Sequence, residues 1–464
     1  MLEPTDDQRP TDSPAAGAVL RAAGTALGVL LLGYATLGRG FAYLHLPALG
    51  KLYVGEIVLC TLLLAVLFSG RILPRAARTG AGALLVAFMA LGLARTLPFL
   101  EEYRTDALRD AVLYAYAIFA LLVPELVTSR SHVQAIAAAF RKFAILYVFW
   151  LPVVFLLQVH FQQAIPIVPG TNIRLMSLKG ADMVVHIAAA LAWFALVPRP
   201  APPGGGGRPV PDHRGLVWLA IAGGGAALTM SRAAIVSLAC TLFLVCLMGA
   251  ASQVRRFAIS LLLCLPFVLT AGPVLIPEAR RDLSFEGLTK LVSSIVTTGD
   301  DSATGKGEAT KQWRLNWWGL IAEETFLGDY FWNGRGFGAN LADAHGFQVF
   351  ASTSEKSLRS PHNSHMTVLS RMGVPGFLLW ILAHGLLVLR FLRVRRLAAD
   401  TGDTFLAGLM AWCVCAWTSY VVNSSFDVYF EGPQGGIWFW SIMGFGLAAS
   451  FLDPVTDPSV GERP

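Results

Sequence analysis

Polar and titratable side chains precede an apolar segment in the stretch RSPHNSHMTVLSRMGVPG, residues 359–376. Pro361 ends whatever comes before it, and His362, Asn363 and Ser364 are together typical of the capped start of a helix. His365 follows His362 by three residues, so the two are expected on one helix face. A histidine at a boundary between water and membrane is suited to accept a proton near neutral pH. A capping histidine is the alternative. Zinc is disfavoured because no nearby carboxylate or cysteine completes a ligand set.

Two arginines occur in short motifs that suit the binding of phosphate. Arg232 begins a helix in TMSRAAIVSL, residues 229–238. A guanidinium at mid-depth of a bilayer costs at least about 2.5–3.5 kcal/mol, so Arg232 should lie near the interface or face a wet cavity. Arg335 lies in NGRGFGAN, residues 333–340, where three glycines let the backbone approach a ligand. The alternatives are an arginine that snorkels to the interface and a tight turn.

A third arginine accompanies an apolar stripe in KQWRLNWWGLIAEETF, residues 311–326. Trp313, Trp317 and Ile321 recur every four residues and therefore share one face of a helix. Such a helix is expected in the membrane interface with its tryptophans at headgroup level. Arg314 would project beside the stripe, close to a lipid phosphate. An anchor helix with a solvated arginine is the alternative.

Two carboxylates stand four residues apart in NSSFDVYFEGPQGG, residues 423–436. Asp427 and Glu431 are candidates for holding an arginine or for helping to activate a hydroxyl. A solvated loop that ends a helix is the alternative interpretation.

The elements that must position these side chains are membrane helices. Of the 464 residues, 55% are hydrophobic and only 14% are charged. Apolar runs of about 20 residues predict an all-α, polytopic membrane protein, since a helix of that length crosses about 30 Å of hydrocarbon. About twelve transmembrane helices are predicted, at residues 17–37, 52–69, 80–97, 108–128, 140–159, 181–197, 215–230, 232–250, 256–276, 366–391, 404–422 and 435–452.

Every second connection between these spans is rich in Lys and Arg. The basic connections lie near residues 71–78, 130–142, 199–214, 255–256 and 390–396. Because cytoplasmic loops are enriched in positive charge, both termini are predicted to be cytoplasmic. The chain is therefore predicted to divide into four segments. They are residues 1–276 with nine transmembrane helices, 277–365 as one large extracytoplasmic loop with interfacial helices, 366–452 with three transmembrane helices, and 453–464 as a cytoplasmic tail.

The motifs and their order resemble the O-antigen ligase and polymerase superfamily. SRAAIVSL is followed by a loop with WRLNWWGLIAEETF and GRGFGAN, and then by SPHNSHMTVLSRMGVPGFLLWI, so the resemblance covers about residues 215–450. The chain departs from the family pattern at three places. SRAA replaces the commoner SRG, Arg335 stands where an aliphatic residue is usual, and Arg371 stands where an acidic residue is frequent. These departures bear on the substrate more than on membership.

The resemblance implies a metal-independent glycosyltransferase of the GT-C type, without a cofactor, at the outer (periplasmic) face of the bacterial inner membrane. Its donor would be a glycan on undecaprenyl pyrophosphate, and its acceptor a hydroxyl of a lipid or glycan. Arg232, Arg314 and His362 match the family's functional arginines and histidine. Substrate contacts are expected from the remaining candidates, which are Arg335, Asn363, His365, Trp317, Asp427 and Glu431.

The physical chemistry of the donor agrees with these roles. A polyprenyl tail stays in the bilayer while the pyrophosphate sits at the interface, where arginines would bind it and stabilise its departure. His362 would accept the proton of the attacking hydroxyl, with Asn363 orienting the ring or the sugar. Attack from the side opposite the pyrophosphate would invert the anomeric centre.

Several functions stay open at this stage. Within the superfamily they are ligation to a lipid core, polymerisation of repeat units, and transfer to a protein hydroxyl. Outside it they are a transporter or flippase for a lipid-linked sugar, and an assembly scaffold. Charges at the span ends on one face favour an enzyme, since a transporter should carry them at mid-depth with broken helices. Other polysaccharide-assembly proteins are expected partners, and nucleic acid is not.

Overall fold

The computed structural model describes residues 14–46, 52–70, 73–198, 232–275, 305–348 and 358–455, together with residues 286 and 289. These residues are mostly helical, as the apolar runs predict. The helices are α1 (Pro14–Leu37), α2 (Arg39–Ala42), α3 (Val54–Phe68), α4 (Gly80–Thr96), α5 (Leu100–Tyr103), α6 (Thr105–Ala115), α7 (Ile118–Leu126), α8 (Arg130–His160), α9 (Gly180–Leu196), α10 (Arg232–Val245), α11 (Ala251–Leu275), α12 (Gly305–Phe326), α13 (Leu341–His345), α14 (Ser364–Asp400), α15 (Thr404–Ser424) and α16 (Pro433–Ala449). Strands β1 (His45–Leu46) and β2 (Leu52–Tyr53) pair antiparallel.

Several of the helices are long and apolar enough to cross a membrane. Within the described ranges there are six: Pro14–Leu37, Gly80–Tyr103, Arg130–His160, Arg232–Pro266, Ser364–Asp400 and Thr404–Ser424. The pair α6 and α7, bent by 53°, makes a seventh if it is one span, and α3 and α9 are shorter apolar helices. The chain is therefore a multi-pass membrane protein. The count of twelve stays a prediction, since the span predicted at 215–230 lies outside the described residues.

One feature differs from the predicted spans at residues 232–250 and 256–276. A π-helical turn, Cys246–Ala250, joins α10 to α11, and Gly249 within it has a φ of 94°. A left-handed residue there needs no strain when it is glycine. The two predicted spans are thus connected by a kink without an intervening loop.

Helices α9, α14, α15 and α16 form the centre of the bundle through small residues and aromatic rings. A Cβ added at Gly408 would lie 2.2 Å from the carbonyl oxygen of Leu196, so only glycine allows α15 to approach α9 this closely. Trp412 donates from Nε1 to the carbonyl of Ala189 at 2.9 Å and packs edge-on against Trp193. Such close contacts and hydrogen bonds hold helices together where lipid offers no hydrophobic drive.

The helix ends gather into two groups. At one end, Arg130 pairs with Asp403 at 2.7 Å, and Arg390 donates to Ser450 Oγ at 2.6 Å. Arg395 reaches the carbonyl of Met248 at this same end. The other end carries the candidate residues described below. Arg130, Arg390 and Arg395, which the charge pattern assigns to one face, therefore share one end, and the side of the membrane that it faces stays a prediction.

Helix α12 contacts the protein through the apolar stripe that was expected to contact lipid. Trp317 and Ile321 have no exposed surface, and they pack with Leu341 and Leu369 in a small second core. The Trp317 ring stacks on Phe347 with centroids 5.2 Å apart. The prediction of tryptophans at headgroup level is therefore wrong for Trp317, because protein rather than lipid covers this face.

The glycines of residues 333–340 allow a close approach between two backbones. Helix α14 is broken at Gly373, whose φ is 66° and ψ is −170°. A Cβ there would lie 2.5 Å from the carbonyl oxygen of Phe331, and one at Gly334 would lie 2.4 Å from Arg371. The backbone amide of Val374 donates to Phe331 at 2.8 Å. These glycines serve the packing of the loop against the break in α14.

Candidate active site

His362 lies immediately before α14 in an uncommon backbone conformation. Its φ of 53° is left-handed, which few residues other than glycine adopt and which often marks functional sites. The Oδ1 of Asn363 accepts from the backbone amides of His365 at 3.0 Å and Met366 at 3.2 Å. The predicted helix cap is thereby confirmed. The prediction that His362 and His365 share a helix face is wrong, because His362 precedes the cap.

Asp427, in the loop between α15 and α16, is the neighbour of the His362 ring. Its Oδ1 lies 3.6 Å from Nδ1 of His362, within ion-pair range and just beyond a direct hydrogen bond. Its Oδ2 lies 3.3 Å from Nζ of Lys179. Burial alone would raise the pKa of Asp427, but His362 and Lys179 hold this pKa well below its ordinary value. A buried carboxylate anion therefore stands beside the imidazole.

Arg314 and Arg232 bring positive charge to the same place. Nη1 of Arg314 donates to the carbonyl of Phe426 at 3.0 Å, one residue before Asp427. Its Nε is buried and has no hydrogen-bond partner among the described residues. Burial lowers the pKa of Arg314, Asp427 raises it and Arg232 lowers it further, so the three groups lie within electrostatic reach of one another. Two guanidinium groups this near each other favour an anion between them.

Trp318 connects the residue before His362 to the helix that carries Arg314. It follows Arg314 by four residues and so lies on the same face of α12. Its Nε1 donates to the carbonyl of Pro361 at 2.8 Å, directly before His362. One helix therefore carries Arg314 and holds the base candidate. The sequence prediction did not include Trp318, because it rested on the neighbouring stripe of Trp313, Trp317 and Ile321, although the spacing of four from Arg314 was visible.

Arg335 and Trp317 have a different set of partners. Nη2 of Arg335 pairs with Oε2 of Glu324 at 2.8 Å, and its guanidinium covers the Tyr330 ring. Trp317 donates to Nδ1 of His345 at 2.8 Å, and Nε2 of His345 contacts the same Glu324 oxygen at 3.0 Å. The structure uses Arg335 and Trp317 in the packing of α12 and α13, and their substrate-binding roles stay predictions.

His365 connects α14 to α15. Its Nδ1 accepts from Trp380 Nε1 at 3.0 Å. Its Nε2 faces the carbonyl of Val421 at 3.2 Å and Oγ of Ser424 at 3.3 Å. Both ring nitrogens thus have protein partners, which suits a structural role behind His362, and a substrate contact by His365 stays a prediction.

Glu431 lies in the same loop as Asp427 but has other neighbours. Burial raises its pKa, while the hydroxyls of Thr367 and Ser360 and the charge of Arg371 lower it. Its Oε1 is buried without a hydrogen-bond partner in the described part of the chain. The expectation that the two carboxylates act on one arginine is not tested by these contacts, and the role of Glu431 stays a prediction.

A buried ion cluster supports the segment that leads to His362. Arg371 is 2% exposed and pairs through Nη2 with Oδ2 of Asp110 at 2.8 Å. Arg359 binds the same oxygen at 3.0 Å, and Asp106 at 3.1 Å. A buried charge is tolerated only when it is paired in this way. Asp110 was visible in the sequence as a carboxylate inside an apolar run that was predicted to be a span, but it was not among the predicted site residues.

Among the described residues, no group of three or more His, Cys, Asp or Glu side chains is placed to hold a metal ion.

The candidate residues can now be compared with known proteins. Residues 216–381 match a sequence-family model described as O-antigen ligase. The matched segment is therefore similar to the O-antigen ligase family. The match includes Arg232, Arg314 and His362, so the resemblance expected from these motifs is confirmed. Asp427 and Lys179 lie outside the matched residues, and their place at the site comes from the structure. No curated protein sequence matches the chain.

Proposed function

We propose that the protein is a GT-C-type membrane glycosyltransferase that transfers a glycan from undecaprenyl pyrophosphate to an acceptor hydroxyl. The observation that carries the proposal is the ring of His362, 3.6 Å from the carboxylate of Asp427, which is itself within electrostatic reach of Arg314. Such a transfer requires a base for the acceptor hydroxyl and positive charge for the leaving pyrophosphate. His362, next to the Asp427 carboxylate, suits the first task, and the two arginines suit the second. The site is proposed to face the outer side of the bacterial inner membrane.

The arginines are proposed to bind the pyrophosphate of the donor. Arg232 begins α10 and Arg314 lies on α12, so two separate elements approach the anion. The Nε of Arg314 is buried and has no hydrogen-bond partner among the described residues, so a contact with the donor would satisfy it. Charge-assisted hydrogen bonds to phosphate are about twice as strong as neutral ones. As the bond to the sugar breaks, negative charge grows on the pyrophosphate and these contacts strengthen.

The transfer itself is a displacement at the anomeric carbon. The acceptor oxygen forms a bond to that carbon, and the bond from the carbon to the pyrophosphate oxygen breaks, with its electron pair leaving on undecaprenyl pyrophosphate. His362 takes the proton of the acceptor hydroxyl and later releases it to solvent. Asp427 stabilises the imidazolium that forms meanwhile, as the carboxylate of a catalytic triad does. In-line attack inverts the configuration at the anomeric carbon.

Ligation to a lipid core and polymerisation of repeat units agree equally with these residues, and transfer to a protein hydroxyl is the third form. One observation favours a different class: α6 and α7 are bent by 53°, and broken helices also occur in transporters. A flippase for the same lipid-linked sugar is therefore the second candidate. The experiment must separate these functions.

The test is a strain without this protein, complemented with wild type, His362→Ala, Arg314→Ala or the control His132→Ala. His132 is exposed near the beginning of α8, at the end of the bundle that carries Arg130 and Asp403 and not the candidate site. Its loss should therefore leave transfer unchanged. His362→Ala should lower the transfer rate about 10²- to 10⁴-fold, as expected for removal of a general base. Arg314→Ala should also raise the donor concentration needed for half-maximal rate.

The accumulating material identifies the reaction. Lipid-linked polymer beside an unextended acceptor indicates a ligase, and lipid-linked single repeat units indicate a polymerase. Lipid-linked sugar held on the cytoplasmic side indicates a flippase. Full transfer by a correctly inserted His362→Ala variant would refute the catalytic role of His362.

A further inference from the structure

A cavity opens beside the candidate site, between α2, the β1–β2 hairpin and the loop that joins α8 to α9. Its volume is about 1010 Å³. Ligand pockets usually measure about 300–1,000 Å³, so this cavity has room for a chain of linked groups rather than for one small group. Nothing proposed above for the transfer reaction uses it.

The wall of the cavity is held in place by backbone contacts. The amide of Arg39 donates to the carbonyl of Ser177 at 2.8 Å, next to a bridge between Gly38 and Ser177. The Oε1 of Gln158 accepts from the amide of Leu178 at 2.7 Å. The loop between α8 and α9 is therefore tied to α2 and α8, and the cavity is preformed. Preformed sites lose less entropy on binding.

Aromatic rings form one side of the cavity. Tyr53 lies edge-on to Tyr43 and to His45, with centroids 6.2 Å and 5.9 Å apart. The flat, apolar body and polar edge of such rings suit a ligand that is itself amphipathic. A sugar ring has this character, with C–H groups on its faces and hydroxyls around its rim.

Polar and basic groups complete the lining. Gln162 and Asn172 line the cavity and are exposed, and their amides can both donate to and accept from hydroxyls. Arg39 and Arg174 bring two positive charges, and no Asp or Glu occurs among the described lining residues. This combination fits a glycan that carries acidic groups such as phosphate or carboxylate.

The wall of the cavity is connected to the candidate site through the segment that carries Lys179. Ser177 in its wall is two residues from Lys179, whose Nζ lies 3.3 Å from Asp427. Asp427 in turn lies 3.6 Å from the ring of His362. Lys179 therefore links the segment that forms the wall of the cavity to the carboxylate partner of His362.

We propose that this cavity binds the sugar chain of the acceptor, an acidic glycan whose terminal hydroxyl is directed towards His362. The inference rests on the proposed function and extends it by naming the acceptor class and its binding site.

The test measures binding apart from transfer. Two probes come from a strain that lacks this protein: the unextended envelope glycan, released by mild acid, and the lipid-linked glycan that accumulates. Each is titrated by calorimetry into the full-length protein in lipid nanodiscs. The variants are Gln162→Ala/Asn172→Ala and the control Gln163→Ala, which alters an exposed neighbour outside the cavity.

The double variant should bind the unextended glycan about tenfold more weakly, as expected for the loss of two hydrogen bonds. Gln163→Ala should bind it as wild type does. Binding should also weaken between 50 and 500 mM salt, because the charges of an acidic glycan are screened.

Three results would overturn the proposal: equal binding by the double variant and wild type, no effect of salt, or a double-variant defect for the lipid-linked glycan alone. If His362→Ala transfers at the native rate, the proposed function fails while these binding results remain interpretable.

Discussion

Replacing Asp427 with Asn tests whether the charge of this carboxylate supports catalysis. The substitution keeps the size of the side chain and removes its charge. In the proposed reaction His362 becomes cationic as it takes the acceptor proton, 3.6 Å from Oδ1 of Asp427. The carboxylate stabilises this state more than the neutral ring, so the variant should lose turnover while it keeps its affinity for the donor.

The distance sets the expected magnitude. Two unit charges 3.6 Å apart interact by about 5 kcal/mol at an effective dielectric constant of about 20, and by about 2 kcal/mol at about 40. The side chains of His362 and Asp427 are 29% and 17% exposed, which places the pair between these limits. Since 1.36 kcal/mol corresponds to a tenfold change in rate, kcat should fall by about 50-fold to 2000-fold.

The assay is glycan transfer in proteoliposomes, with donor and acceptor varied separately. Asp106→Asn is the matched control, because Asp106 is 47% exposed and Asp110 still pairs with Arg359. An exposed ion pair contributes about 0–1 kcal/mol, so the control should retain most of its activity. If kcat of a correctly inserted Asp427→Asn variant stays within threefold of wild type, the carboxylate does not stabilise the imidazolium.

Two further predictions concern the packing that supports the site. Gly373→Ala should destabilise the protein by about 1–3 kcal/mol or more, because its φ is 66° and a Cβ would lie 2.5 Å from the Phe331 carbonyl. Gly385→Ala, in the same helix with open space around it, should not lower the thermal midpoint in detergent, and an equal loss in both variants would contradict the packing argument. Burial lowers the pKa of His345, whose Nδ1 accepts from Trp317. The unfolded state therefore binds more protons, and wild type should lose stability as pH falls below about 6.5, the ordinary histidine value. His345→Gln should lose less between pH 7.5 and 5.5, and an identical loss would show that another group titrates.

Local signals in the sequence predicted the elements that carry the site. Runs of apolar residues predicted helices that the structure contains, and His362, Asn363 and Ser364 predicted the capped start of α14. The order of Arg232, Arg314 and His362 along the chain predicted the similarity of residues 216–381 to the O-antigen ligase family. These signals depend on a few neighbouring residues, so they can be interpreted without knowledge of the fold.

Contacts between distant segments could not be predicted in the same way. Lys179 meets Asp427 across 248 positions of the chain, and Arg359 meets Asp110 across 249. Spacing along a helix relates residues three or four positions apart, and it holds only inside the helix. The placement of His362 before the cap therefore separated it from His365, although their spacing suggested a shared face.

The sequence by itself determined the membrane class of the protein, its helix starts and the residue types available for the reaction, because each depends on local composition and spacing. Only the tertiary structure decided which apolar faces meet protein instead of lipid. Trp317 shows this, since an apolar stripe has the same pattern whether a bilayer or a second core covers it. The tertiary structure also decided which carboxylate stands beside His362, because burial and opposite charge act through space and not along the chain.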